Sequence, residues 1–247
     1  MLPPSAEFNL FSNATRRPKE AKEMFPQDVA KSIRFTNKSH PECAAFSPDG
    51  RYLASGSQTG QLKVWLVATG QCIKKIDKAH DAAIASIVFS KDSTHLLTGS
   101  FDTTARIHGL KAGKTLKEFR GHLTFVNCAL YLPDNTRVIT GSADGKIKIW
   151  DAKTQDCLST FTPPVPPHMQ AAQCLPSVMN IILAPRNVGM DLMYVCTKSN
   201  IISLMNFSGK TIKSWTSGKK QGGDFVAACE GNCICFCFSL FICFANV

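Results

Sequence analysis

Apolar and polar residues alternate along this chain in short bursts, and the bursts recur at a fixed interval. The clearest is Lys146-Ile147-Lys148-Ile149-Trp150, and period-two alternation of this kind predicts a strand with one buried face. Three segments align with one another: Gly56-Ser57-Gln58-Thr59-Gly60-Gln61-Leu62-Lys63-Val64-Trp65, Gly99-Ser100-Phe101-Asp102-Thr103-Thr104-Ala105-Arg106-Ile107-His108, and Gly141-Ser142-Ala143-Asp144-Gly145-Lys146-Ile147-Lys148-Ile149-Trp150. Their last residues, at 65, 108 and 150, are 43 and 42 positions apart. Upstream of each lies a second recurring piece: Phe46-Ser47-Pro48-Asp49-Gly50, Phe89-Ser90-Lys91-Asp92-Ser93 and Tyr131-Leu132-Pro133-Asp134-Asn135.

Four short strands in about 40 to 45 residues, separated by Asp and Asn turns, form the pattern of a WD-type propeller blade. The predicted fold is therefore all-β: a WD-repeat β-propeller, incomplete, with about four blades. The expected organisation is an N-terminal extended segment at 1–37, then blades over 38–229. These fall at about 38–78, 79–120, 121–162 and 175–216, with a partial blade from 222 and a Cys- and Phe-rich tail at 230–247. The fourth unit is the weakest in motif, with strands expected at 177–184, 192–196, 201–206 and 211–215. It is entered through Thr162-Pro163-Pro164-Val165-Pro166-Pro167, whose prolines favour an extended, unladdered loop.

Composition changes this picture little. The 44% hydrophobic and 19% charged residues suit a globular protein. The formal net charge of +10 points to acidic partners, nucleic acid or protein. The densest basic clusters, Arg16-Arg17-Pro18-Lys19 and Lys219-Lys220, are short and read as solvated charge. Cys43, Cys72, Cys128, Cys157 and Cys196 fall in apolar strand-like runs, where a reduced cysteine behaves as a small hydrophobe. With no secretory signal at Met1-Leu2-Pro3-Pro4, a reducing intracellular compartment is expected. The apolar run Cys233 to Val247 is shorter than the roughly 20 residues a spanning helix needs, so no membrane association is expected.

One constellation resembles catalytic chemistry. His122, Thr140, Asp144 and Trp150 in the third unit have the types to form a chain of hydrogen bonds, and His80, Thr98 and Asp102 repeat it in the second. In the first unit the corresponding residues are His40, Ser55 and Trp65. A hydroxyl, a His and an Asp also suit nucleophilic catalysis. A constellation that recurs once per blade reads better as the polar network that holds each blade together. It is imperfect, because Thr59 stands where Asp would be in the first unit and His108 replaces the tryptophan in the second. No phosphate-binding glycine loop, zinc-protease motif or nucleophile elbow is present. Cys233, Cys235 and Cys237 could bind a soft metal, but Phe236, Phe238 and Phe241 alternate with them as in a buried strand. The expectation is no catalytic residue, no cofactor, no metal and no small-molecule substrate.

The stretch from Ser100 to His122, with Arg106-Ile107-His108 where most repeats end in tryptophan, closely resembles the Smu family of WD-repeat splicing factors. So do Lys38 to Gly50 and Ser217 to Val226, and the similarity runs from about Leu2 to Cys229. The resemblance implies a nuclear, non-catalytic scaffold of the spliceosome, acting in pre-mRNA splicing through contacts with spliceosomal proteins. Family members carry an N-terminal LisH-type helical region, which supports self-association and binding to the splicing partner Red, ahead of a seven-bladed propeller. This chain departs from that pattern. A helical region ahead of the propeller is not expected in this sequence, and the first unit begins as one family blade and ends, from Gly70-Gln71-Cys72, like the next. The residues after Cys229 are unrelated, as an altered reading frame or retained intron would leave them. Partner binding through the helical region is therefore not expected to carry over. Four blades shaped for a seven-fold ring are expected to form an open arc. Two other functions are compatible with the sequence: a basic RNA-binding propeller fragment, and a substrate adaptor outside splicing.

Overall fold

The computed structural model describes residues 40–166, 175–184 and 191–216, residues 32 and 169 singly, and the strand backbone at 225–229 and 235–238. The extended segment expected at 1–37, apart from residue 32, and both short basic clusters lie outside the described residues.

The fold is all-β. Four four-stranded antiparallel sheets follow one another: β1 (Pro41–Phe46), β2 (Tyr52–Ser57), β3 (Leu62–Leu66), β4 (Cys72–Ile76); β5 (Ile84–Phe89), β6 (His95–Ser100), β7 (Ala105–Gly109), β8 (Lys114–Phe119); β9 (Val126–Tyr131), β10 (Arg137–Ser142), β11 (Ile147–Asp151), β12 (Cys157–Phe161); and β13 (Val178–Leu183), β14 (Leu192–Thr197), β15 (Ile201–Asn206), β16 (Thr211–Thr216). Within each sheet the strands lie in sequence order, the meander that tight turns impose. In the first three sheets the first turn has a left-handed residue, Gly50, Ser93 or Asn135, and the second turn another, Gly60, Thr103 or Gly145.

The fourth sheet has as many strands as the other three, although its motif is the weakest in sequence. A fifth unit begins at β17 (Phe225–Cys229), which pairs with β18 (Cys235–Phe238). The tail thus supplies a strand, although its sequence is unrelated to the repeat.

The first strands of successive sheets touch in order, β1 to β5, β5 to β9, β9 to β13 and β13 to β17, so the sheets form an open arc of blades. Neighbouring residues on a strand serve opposite junctions, because side chains alternate across a sheet. On β10, Val138 packs towards the second blade with Leu97 and Phe119, while Ile139 packs towards the fourth with Val178 and Met193. At each junction a glycine of one blade meets a β-branched residue of the next: Gly56 with Ile84, Gly99 with Val126 and Gly141 with Val178. A Cβ on Gly141 would come within 2.6 Å of Val178 Cγ1. In the fourth blade the aligned position holds a buried cysteine, Cys196.

The outer face of the first blade differs from the same face of the second. Phe46 is 58% exposed, whereas Phe89, at the aligned position of the second blade, is 6% exposed.

Candidate functional site

The residues with chemical potential meet inside the blades. In the third, β10 carries Thr140, β11 carries Trp150 opposite Val138, the turn between them carries Asp144, and the loop before β9 carries His122. Trp150 Nε1 donates to Thr140 Oγ1 at 2.8 Å, and Thr140 Oγ1 lies 2.7 Å from His122 Nε2. His122 Nδ1 lies 3.1 Å from Asp144 Oδ2. A carboxylate only accepts, which places the imidazole proton on Nδ1 and makes Nε2 the acceptor of the Thr140 hydroxyl. Burial pushes His122 below its ordinary pKa, against the pull of Asp144, so the ring is neutral near pH 7. Burial works to raise Asp144, but the N–H groups of Leu123 and Lys146 and the His122 ring overcome it and hold the carboxyl low.

The second blade builds the same chain with a different end. His80 Nδ1 lies 2.8 Å from Asp102 and its Nε2 lies 2.7 Å from Thr98 Oγ1. His108 occupies the tryptophan position, and its Nε2 lies 2.9 Å from the same Thr98 oxygen. Burial, with His80 and Arg106 adding to it, lowers the His108 pKa to about 3. The neutral ring therefore donates from Nε2 as an indole would, and its Nδ1 accepts from the Thr115 hydroxyl at 3.0 Å. Asp102 also accepts from the backbone N–H and hydroxyl of Thr104. Arg106 bonds Glu118 at 2.8 Å and the Ala79 carbonyl at 2.7 Å. Thr104 and Thr115 carry no signal of their own as site residues in the sequence, and Arg106 stands out there only as part of the family resemblance. The visible signal for Thr115 was His108 itself, which has a second ring nitrogen to satisfy.

The first blade keeps only part of the chain. Trp65 Nε1 donates to Ser55 Oγ at 2.8 Å, but His40 is exposed and does not reach Ser55. The expectation that His40 joins Ser55 and Trp65 is corrected for a physical reason. Thr59 replaces the carboxylate that would hold the ring, and its hydroxyl pairs with Ser57 at 3.0 Å instead. In the fourth blade Val195 and Met205 stand where the third has Thr140 and Trp150, and both are fully buried. An apolar pair there needs no hydrogen-bond partner, and such replacements of buried polar groups are often neutral or stabilising.

Thr98 and Thr140 have no exposed surface, so neither hydroxyl can meet a substrate carbonyl without the blade opening. Among the described residues no cluster of three or more His, Cys, Asp or Glu could hold a metal ion. The side chains of Cys233, Cys235 and Cys237 lie outside the described residues. Burial pushes the thiols of Cys43, Cys128 and Cys196 up to about 12, which keeps them protonated and unreactive. Among the described residues no helix is long and apolar enough to cross a membrane.

The WD domain, G-beta repeat family model matches residues 32–65, 70–108 and 113–151. The chain is 44% identical to the WD40 repeat-containing protein smu1 of Dictyostelium discoideum, over 85% of this chain and 48% of that protein. It is 26% identical to the Poly(A)+ RNA export protein of Schizosaccharomyces pombe, over 76% of this chain and 54% of that one. It thus spans about half the length of each of these relatives. The alignment with smu1 runs over 264 positions, more than the 247 residues of this chain, so smu1 carries residues within that stretch that this chain lacks. The chain thus carries WD repeats, and it resembles the Smu family of WD-repeat proteins.

Proposed function

We propose that this chain is a non-catalytic protein-interaction scaffold in nuclear RNA processing, acting in pre-mRNA splicing through spliceosomal proteins. The observation that carries the proposal is the 44% identity to smu1 over most of the chain. The sealed hydroxyls of Thr98 and Thr140 support the non-catalytic part, and the His–hydroxyl–Asp chain serves to hold the second and third blades together. Affinity purification of the tagged chain from nuclear extract, with quantitative mass spectrometry, tests the proposal. Spliceosomal proteins enriched over an unrelated WD propeller are expected, and their absence would sink the reading.

A second reading, direct RNA binding, draws on the net charge of +10 and on the similarity to a Poly(A)+ RNA export protein. Its signature is a log-linear fall of RNA affinity with added salt as counterions are released. Weak RNA binding at every salt concentration would leave the protein scaffold alone.

A further inference from the structure

The position after the third strand repeats in every blade, and its backbone is held the same way each time. Leu110 N–H donates to Thr94 O at 3.0 Å, Ala152 N–H to Thr136 O at 2.8 Å, and Phe207 N–H to Asp191 O at 3.2 Å. Each side chain faces the preceding blade. Leu110 fills the junction of the first and second blades, and Phe207 that of the third and fourth. Ala152 leaves the middle junction short of several carbon atoms. On the facing blade His95 stands where the first junction has Tyr52. A cavity of about 280 Å³ opens between the second and third blades, and both Ala152 and His95 line it.

Its walls are of two kinds. Ile107, Leu116 and Ala152 supply apolar surface, and Leu116 is 43% exposed. Tyr131, Lys117 and Lys153 supply donors. Among the described residues the Tyr131 hydroxyl and the Lys153 ammonium make no hydrogen bond. Lys117 is anchored by the carbonyls of Ala152 and Lys153. The one carboxylate in the lining, Asp92, is already engaged: it accepts from the Ser90 hydroxyl, the Thr94 hydroxyl and the Thr94 N–H. Those donors hold the Asp92 carboxyl low and ionised, but the two ammonium groups of Lys117 and Lys153 outnumber it, so the lining is net positive, in line with the +10 of the whole chain.

We infer that this gap is a docking site for an acidic peptide segment, which inserts one apolar side chain between Leu116 and Ala152. The peptide's carboxylates pair with Lys153 and Lys117 at the mouth, and a peptide carbonyl or carboxylate accepts from the Tyr131 hydroxyl. Charge complementarity selects an acidic partner protein over RNA, whose phosphates would meet the lysines but whose bases would not fill an aliphatic slot. The inference rests on the scaffold reading and names the chemistry of one partner.

The test uses the full chain and a fluorescein-labelled acetyl-Glu-Asp-Phe-Asp-Glu-amide peptide in fluorescence polarisation. Ala152→Leu, which installs the residue of the first junction, fills the slot without touching a polar group. It is expected to weaken the peptide by at least about tenfold while leaving the melting temperature unchanged or higher. Lys153→Glu, at an exposed position, is expected to weaken it in a salt-dependent way. Replacing the peptide's Phe by Ala should have the same effect as filling the slot. Equal binding of wild type and Ala152→Leu, equal binding of a Lys-Arg-Phe-Lys-Arg peptide, or no binding of the acidic peptide would each overturn the site. So would a single-stranded oligouridylate whose binding Ala152→Leu abolishes. Purification of Ala152→Leu from nuclear extract separates the two readings. Retention of all spliceosomal proteins, with the peptide unaffected, removes the pocket and keeps the scaffold.

Discussion

Removing Asp144 strips acceptors from the His122 ring and from the N–H groups of Leu123 and Lys146 at once. Because burial keeps His122 neutral, no cation is stranded, and the cost is chiefly that of the buried His122 N–H left without an acceptor, with the Lys146 N–H partly buried beside it. Asp144→Ala is expected to lower stability by about 3 kcal/mol, read as a shift in the urea midpoint. An unchanged midpoint would mean that the chain of hydrogen bonds carries no stability. His108 supplies a pH dependence of its own. Its pKa is about 3 in the folded protein against the ordinary 6.5, so between those values the unfolded chain binds the extra proton. Stability is therefore full above pH 6.5 and falls as the solution is acidified, by about 2 kcal/mol at pH 5 from this ring alone. In His108→Trp, with an indole N–H for Thr98, the urea midpoint should depend less steeply on pH between 7 and 5. An unaltered slope would assign the acid sensitivity to other groups.

Turns and junctions govern the elements. Gly60 has φ +75°, and a Cβ built on it would lie 2.1 Å from the backbone oxygen of His80. Neither the left-handed backbone nor the neighbouring carbonyl can yield cheaply. Gly60→Ala is expected to cost about 1–3 kcal/mol, with a clear drop in melting temperature by calorimetry. Much at this scale was legible beforehand. Period-two alternation and the spacing of 65, 108 and 150 located the strands, because half-buried strands write their geometry directly into the sequence. The expected strand at 201–206 coincides with β15 (Ile201–Asn206). Less was legible where one blade depends on another. His40 matched its counterparts in type, but its place depended on a carboxylate that Thr59 does not supply. Val195 and Met205 left no polar mark, so the fourth unit looked poorer than its four strands make it. The slot at Ala152 exists only by comparison with Leu110 and Phe207, which requires the junctions to be superposed.

At the scale of the described blades, the exposed Phe46 and the order of inter-blade contacts describe an arc whose first sheet leaves a large aromatic uncovered. A large exposed aromatic on a sheet face favours association. Sedimentation velocity should show concentration-dependent self-association that Phe46→Ser reduces, and an equally associating variant would place the sticky surface elsewhere. The glycine that each blade presents to a β-branched residue of the next has a consequence for how such a chain changes length. The junctions at Gly56, Gly99 and Gly141 share this pair of shapes, so at this contact one blade can replace another. Residues 66–108 span one period, and their excision would join Trp65 to Gly109 and bring Gly56 against Val126 in place of Ile84. A chain so shortened should still melt cooperatively by circular dichroism, whereas loss of half a period would turn apolar strand faces out to water. Repeats of this kind are gained and lost as whole links, with a glycine still facing a β-branched residue at the new joint.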